Sequence, residues 1–203
     1  MKVALIGATG NVGSRILAEL TSRGHTVTAI SRHPEKTAAK PGVTAKHGDV
    51  SDKAALAALL AGHDAVISAV RFSGSDARTL IDAVKESGVK RYLVVGGAGS
   101  LEVAPGAKLI DTPNFPEAYK PEASKGGDFL QVLRGEKDLD WTFLSPSALI
   151  SAGTRTGKFR LGGDQLLKDD KGNSSISYED YAVALVDELE KPKHSRQRFT
   201  VGY

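Results

Sequence analysis

Three glycines near the start of the chain, in Gly7-Ala8-Thr9-Gly10-Asn11-Val12-Gly13, stand at Gly-x-x-Gly-x-x-Gly spacing. Such glycines let a chain turn tightly, bring backbone N–H groups up to a pyrophosphate, and let the following helix pack on the preceding strand. The spacing departs from Gly-x-Gly-x-x-Gly, so a plain Gly-rich turn is the competing reading, and the context of strand before and helix after decides for a dinucleotide. A chain that selects NAD places Asp or Glu about 20 residues on, at the end of the second strand. Here that strand ends Ile30-Ser31-Arg32-His33. Ser31 can donate to a phosphate and Arg32 can pair with one in a charge-assisted fork, which favours NADPH over NADH. A solvated loop charge is the other reading of Arg32. Asp49 and Val50 follow the third strand, where the carboxylate could take the adenine amino group and the Val50 amide a ring nitrogen; helix capping is the competing role. Ala69, Val70 and Arg71 close the fourth strand and Gly96-Gly97-Ala98-Gly99-Ser100 the fifth. Small residues such as Gly97 leave room there for ribose and nicotinamide.

These positions need elements to hold them. Lys2–Ile6 is a short β-branched apolar run ended by Gly, which predicts a buried strand. Val12, Ile16, Leu17 and Leu20 then fall on one helical face, with Gly24 just beyond as a left-handed cap. The alternation predicts strands at 26–30, 44–47, 65–69, 91–95 and 141–144, and helices at about 52–61, 76–87 and 122–135. Asp52 and Asp76 suit helix starts, Gly62 and Gly88 helix stops. Strand, helix, strand in repetition, joined by right-handed crossovers, gives an α/β fold with a doubly wound parallel sheet, its first strand central. After Leu144 the alternation breaks down. Gly153 to Gly163 is basic and Gly-rich, Ser177-Tyr178-Glu179-Asp180 approximates a capping box with Asp in place of Glu, and 198–202 reads as a last strand. The organisation expected is one domain over 1–203, with about 150–203 as a small C-terminal section on the substrate side.

Composition narrows the classes. The 203 residues suit one domain. Hydrophobic residues are 40% and charged residues 25%, which sets disordered and fibrous classes aside. With no cysteine there is no disulfide, thiolate nucleophile or cysteine metal site. The five histidines lack close ligand spacing, so no metal is expected. Lys and Arg exceed Asp and Glu by 27 to 24, without the block of basic residues typical of nucleic-acid tails. The first apolar stretch stops at Gly7, too short for a signal peptide, and no transmembrane run follows. A cytoplasmic protein is expected, monomeric or homodimeric, with a small-molecule partner and neither nucleic acid nor membrane.

The glycine motif, Ser31-Arg32-His33-Pro34, Gly96 to Ser100, Asp140-Trp141-Thr142-Phe143-Leu144-Ser145-Pro146 and Ile176 to Ala182 together resemble the atypical short-chain dehydrogenases/reductases. Within them the chain is similar to the NAD(P)H-flavin reductase group, near relatives of biliverdin reductase B and the NmrA-like proteins. The resemblance covers nearly the whole chain. It implies a Rossmann fold, an NADP-type cofactor, and a flavin such as FMN or FAD, or another planar molecule, as acceptor.

One part is missing. Typical short-chain dehydrogenases use Tyr-x-x-x-Lys, whose Lys lowers the Tyr pKa for proton transfer. Tyr92, Tyr119, Tyr178 and Tyr181 are followed four residues later by Gly96, Ala123, Ala182 and Leu185, and Tyr203 is the last residue. Ordinary carbonyl chemistry and nucleotide-sugar epimerisation or dehydration are therefore disfavoured. Flavin reduction demands less, because the acceptor carries its own electronics and the protein need only orient it and supply a donor. Ser100 matches the superfamily's active-site Ser and is the expected donor, with Tyr119 and Lys125 as lesser candidates. The Pro-rich stretch from Leu101 to Pro121 is expected to be a partial lid. Arg155, Lys158, Phe159 and Arg160 form either a cradle for an anionic planar ligand or a surface hairpin. The rival from a different class is a redox sensor that binds NAD(P) without catalysis.

Overall fold

The computed structural model describes residues 1–203. Its sheet begins with β1 (Lys2–Ile6), β2 (Thr26–Ser31), β3 (Val43–His47), β4 (Ala65–Ser68) and β5 (Arg91–Val95). Two short strands, β6 (Glu102–Ala104) and β7 (Ala107–Lys108), pair with each other in a hairpin. Then follow β8 (Asp140–Ser145), β9 (Leu149–Ser151), β10 (Arg160–Gly162), β11 (Ser175–Ser177) and β12 (Gln197–Gly202). The helices are α1 (Asn11–Ser22), α2 (Lys53–Leu60), α3 (Ala77–Glu86), α4 (Lys120–Arg134) and α5 (Tyr178–Glu190).

Eight strands form one sheet in the order β10-β12-β8-β5-β4-β1-β2-β3, and every pairing is parallel except β10 on β12. This is the doubly wound Rossmann fold. The first strand is interior but not central, because four strands extend the sheet beyond β4 and only two lie beyond β1 on the other side. Alternation along β1 explains the layers: Val3 and Leu5 face a core with α1 and α5, whereas Ala4 and Ile6 face one with α2, α3 and α4. Burial on both faces is what a parallel sheet requires.

The helix ends follow local chemistry. Asp52 accepts from the Ala55 amide at 3.0 Å and Asp76 from the Thr79 amide at 2.8 Å. Gly24, Gly62 and Gly88 take left-handed φ of 79°, 74° and 81° just past their helices. Helix α4 begins two residues before its expected start, with Pro121 in the first turn, where a missing N–H costs nothing.

The C-terminal section is pinned by Asp180. Ser177 caps α5 through the Asp180 amide at 2.9 Å, but the Asp180 carboxylate does not complete a capping box. It accepts instead from the Thr156 amide and hydroxyl at 2.8 and 2.6 Å, the Gly157 amide at 2.8 Å and the Tyr203 hydroxyl at 2.7 Å. Burial pushes this carboxyl up, and the hydrogen bonds from Thr156, Gly157 and Tyr203 outweigh it, leaving the group below the usual carboxylate range. A depressed folded pKa stabilises the fold at neutral pH, and the contribution is lost as pH falls through that value. Asp180→Asn, which weakens several hydrogen bonds to a charged group, is expected to cost about 3 kcal/mol at pH 7, or roughly 6–12 °C in Tm for a chain of this size. Thermal melts should show the gap to wild type closing below pH 4. A gap that stays constant into acid would show that the charge is not the source.

Candidate functional site

The carboxyl ends of β1, β2, β3 and β4 surround a cleft of about 380 Å3. It lies where the strand order reverses, with β2 on one side of β1 and β4 on the other, the usual ligand position in an open parallel sheet. Its wall consists of Gly7, Thr9 and Gly10 after β1, Ser31 and Arg32 at the end of β2, Asp49 and Val50 after β3, and Ala69, Val70 and Arg71 after β4. Four separate stretches flagged in the sequence thus meet in one place. Ile6, Ile30, His33, Gly48, Ser73 and Gly74 complete the lining.

The turn into α1 is built for close approach. Gly7 has φ of +84°, and its amide donates to Ile30 at 2.8 Å, tying the turn to β2. A Cβ at Gly13 would lie 2.0 Å from the Gly7 carbonyl oxygen, so the helix packs on the turn only because Gly13 has none. No side chain caps α1, and its first turn holds no acidic residue. The free amides and the positive end of the helix dipole are therefore available to an anion. Ala8, Asn11, Val12 and Gly13 belong to this turn and first helical turn, although they do not line the cleft wall.

Charge on the rim is positive and unspent. Arg32 and Arg71 are exposed and neither has a carboxylate within ion-pair distance. The Ser31 hydroxyl is buried in the wall without a hydrogen-bond partner. Buried polar groups are nearly always paired, so this orphan fits a ligand-binding hydroxyl. Asp49 does not cap α2, since Asp52 does. It folds into a turn, its Oδ1 accepting from the Ser51 amide at 2.9 Å and hydroxyl at 2.8 Å. These bonds, and then the charges of Arg32 and His47, hold its carboxyl below the usual range. Asp49 stays an acceptor, as recognition of an amino group requires. A pyrophosphate-bearing dinucleotide fits this set of donors.

The other expected residues lie outside this cleft. Gly97 follows β5 close to the Phe72 ring. The Ser100 hydroxyl accepts from Arg198 Nη1 at 3.2 Å, and its own proton has no acceptor in the protein. Arg198 is in turn fixed on Asp164, with Nε 2.7 Å from Oδ1. Tyr119 is 66% exposed, and Lys125 is exposed on α4. The Leu101 to Pro121 stretch holds the β6–β7 hairpin and two 3-10 turns, anchored by the Glu102 amide on Asp164 at 2.8 Å. The basic Arg155–Arg160 segment does not form a cradle at the cleft. Arg155 grips both oxygens of Glu19 at 2.8 Å, and Arg160 donates to the Lys168 carbonyl at 2.6 Å. Its Phe159 packs on the α1–α5 core.

No tyrosine lines the cleft. Tyr92 and Tyr181 are fully buried, and burial pushes both phenols far up. The Tyr181 hydroxyl donates to the Leu144 carbonyl at 2.6 Å and accepts from the Gly96 amide at 3.3 Å, shaping the β5 end rather than exchanging protons. Sequence reasoning missed Arg198 and Tyr181, because no local pattern links them to positions about 100 and 85 residues away.

Fold and cleft together define a nucleotide-binding protein of the Rossmann class. The NAD(P)H-binding family model matches residues 7–192, and the chain belongs to that family, within the atypical short-chain dehydrogenases/reductases. The uncharacterized protein YwnB of Bacillus subtilis is 43% identical over 99% of this chain and 98% of its own. A Bacteroides thetaiotaomicron protein, provisionally named an epimerase, is 47% identical with a TM-score of 0.95, covering 100% of this chain and 96% of that one. A Streptococcus pneumoniae protein, provisionally named an NADH-flavin reductase, is 37% identical with a TM-score of 0.83, covering 100% and 99%.

Proposed function

We propose that this chain is an NADPH-dependent oxidoreductase that passes hydride to a flavin or a similar conjugated planar acceptor. The observation that carries the cofactor choice is the end of β2, where the orphaned Ser31 hydroxyl and unpaired Arg32 stand in place of a carboxylate. The turn amides and the α1 N-terminus hold the pyrophosphate, Arg71 adds a second cation, and Asp49 and Val50 receive the adenine. When bound, the nicotinamide supplies the hydride. Ser100 is the proton or hydrogen-bond donor to the acceptor: Arg198 occupies a lone pair of its oxygen and leaves its proton free to point outward.

Two features favour a flavin-like acceptor. The Streptococcus pneumoniae relative carries a flavin reductase name. No tyrosine of the chain is followed four residues on by the lysine that lowers a phenol pKa for carbonyl reduction. The epimerase name of the Bacteroides thetaiotaomicron relative favours a second reading, nucleotide-sugar epimerisation, and the same absence of a Tyr-x-x-x-Lys pair weighs against it.

The test is anaerobic NADPH oxidation with FMN, FAD and riboflavin in turn, followed at the nicotinamide absorbance band. Saturable turnover is expected. Binding without turnover on the whole panel would favour the redox-sensor reading instead. Ser100→Ala should lower turnover by about tenfold or more with NADPH affinity unchanged, and full retained turnover would remove Ser100 from the mechanism.

A further inference from the structure

The segment after β4 that carries Arg71 is held at the cleft by a residue from a different part of the chain. Val70, Arg71, Ser73 and Gly74 line the cleft, and Phe72 between them turns inward. Within the segment only local bonds form, such as the Gly74 amide on the Arg71 carbonyl at 3.2 Å. Its attachment to the body comes from α4 and, through Phe143, from β8. The Phe72 ring sits 5.3 Å from Phe129 and 6.0 Å from Phe143, with Gly126 beneath it. Glu122, in the first turn of α4, receives the Phe72 amide on one oxygen at 2.7 Å and the Ser73 amide on the other at 2.8 Å. No cation pairs with Glu122, so both oxygens serve these two amides.

We propose that Glu122 is a positioning residue for the cofactor cleft, fixing the backbone on both sides of Phe72 so that Arg71 stands over the phosphates. The proposal rests on the reading of Arg71 as a cofactor ligand given above. Two charge-assisted bonds to consecutive amides lock a short segment that its own hydrogen bonds leave loose. They also join the cleft rim to the start of α4, into which the 101–121 stretch leads. The cofactor rim and the acceptor-side segment are thereby tied to the same carboxylate.

A double-mutant cycle on NADPH affinity tests this, with the dissociation constant read by fluorescence titration and folding by Tm. Arg71→Ala and Glu122→Ala are each expected to weaken NADPH by about 5- to 10-fold. The double variant should bind no more weakly than Arg71→Ala alone, because Glu122 acts through Arg71. Glu122→Gln keeps the size of the side chain and one acceptor oxygen, and should recover part of the loss. It replaces Glu122→Ala in the cycle if the latter lowers Tm by many degrees. Multiplying effects in the double variant, or unchanged affinity in Glu122→Gln and Glu122→Ala while Arg71→Ala binds weakly, would overturn the proposal alone. Unchanged affinity in Arg71→Ala would overturn the reading of Arg71 and this proposal with it.

Discussion

Arg32→Ala is expected to raise the NADPH dissociation constant by about 10- to 100-fold while changing that of NADH by less than about threefold. The reason is positional. Arg32 follows β2 on the rim of the cleft, beside the unpartnered Ser31 hydroxyl, where the only phosphate that distinguishes the two cofactors would be placed. No carboxylate lies within ion-pair distance of it, although Asp49 feels its charge. Because the side chain is exposed, the advantage should shrink as ionic strength rises. Titrating each cofactor at two salt concentrations separates a phosphate contact from a general loss of positive potential, which would weaken both cofactors alike. An equal loss for NADPH and NADH would remove Arg32 from phosphate recognition and leave the cofactor choice to Ser31 and Arg71.

The cleft at the strand ends was legible in the sequence because each part of its lining is local. A glycine turn after a strand, a strand end without a carboxylate, and capping residues such as Asp52 and Asp76 declare themselves within a few positions, and the fold brings them together simply by being parallel. The rest depends on contacts that no window contains. Strands β6, β7, β9, β10 and β11 are two or three residues long, too short for alternation to show. They exist through long-range pairing, as where β9 and β11 align Ile150 with Ile176. Asp180 read as half of a capping box and proved to be the pin of the 153–158 loop, because its partner Tyr203 arrives from the chain end. Arg155 and Arg160 read either as cations for a ligand or as a surface hairpin, and the fold spends them on Glu19 and a backbone carbonyl. Glu122 gave no signal at all, since a carboxylate in the first turn of a helix is usually explained by the helix itself.

Gly13→Ala and Gly10→Ala should fail in opposite ways, although both change one glycine of the same motif. At Gly13 the new methyl group would sit 2.0 Å from the Gly7 carbonyl oxygen and 3.0 Å from its carbon. Both are backbone atoms, so the helix must move off the turn, and the turn is itself held to β2 by the Gly7 amide on the Ile30 carbonyl at 2.8 Å. The expected cost exceeds about 4 kcal/mol, the range in which single substitutions unfold ordinary proteins. At Gly10 the methyl group meets the Gly7 oxygen at 3.5 Å and the Ala69 oxygen at 4.0 Å, ordinary contacts, and φ of −73° suits any residue. Alanine there restricts the unfolded chain and should leave Tm unchanged or raise it slightly. Nothing in the fold therefore demands glycine at position 10, yet Gly10 lines the cleft at the very start of α1. The demand must come from whatever approaches the helix terminus. Gly10→Ala should fold normally and lose about tenfold or more in NADPH affinity, since a side chain holds the pyrophosphate away from the amides. Thermal melts and cofactor titrations on the two variants test both halves. Normal NADPH affinity in a folded Gly10→Ala protein would mean that the phosphates do not pass over this turn.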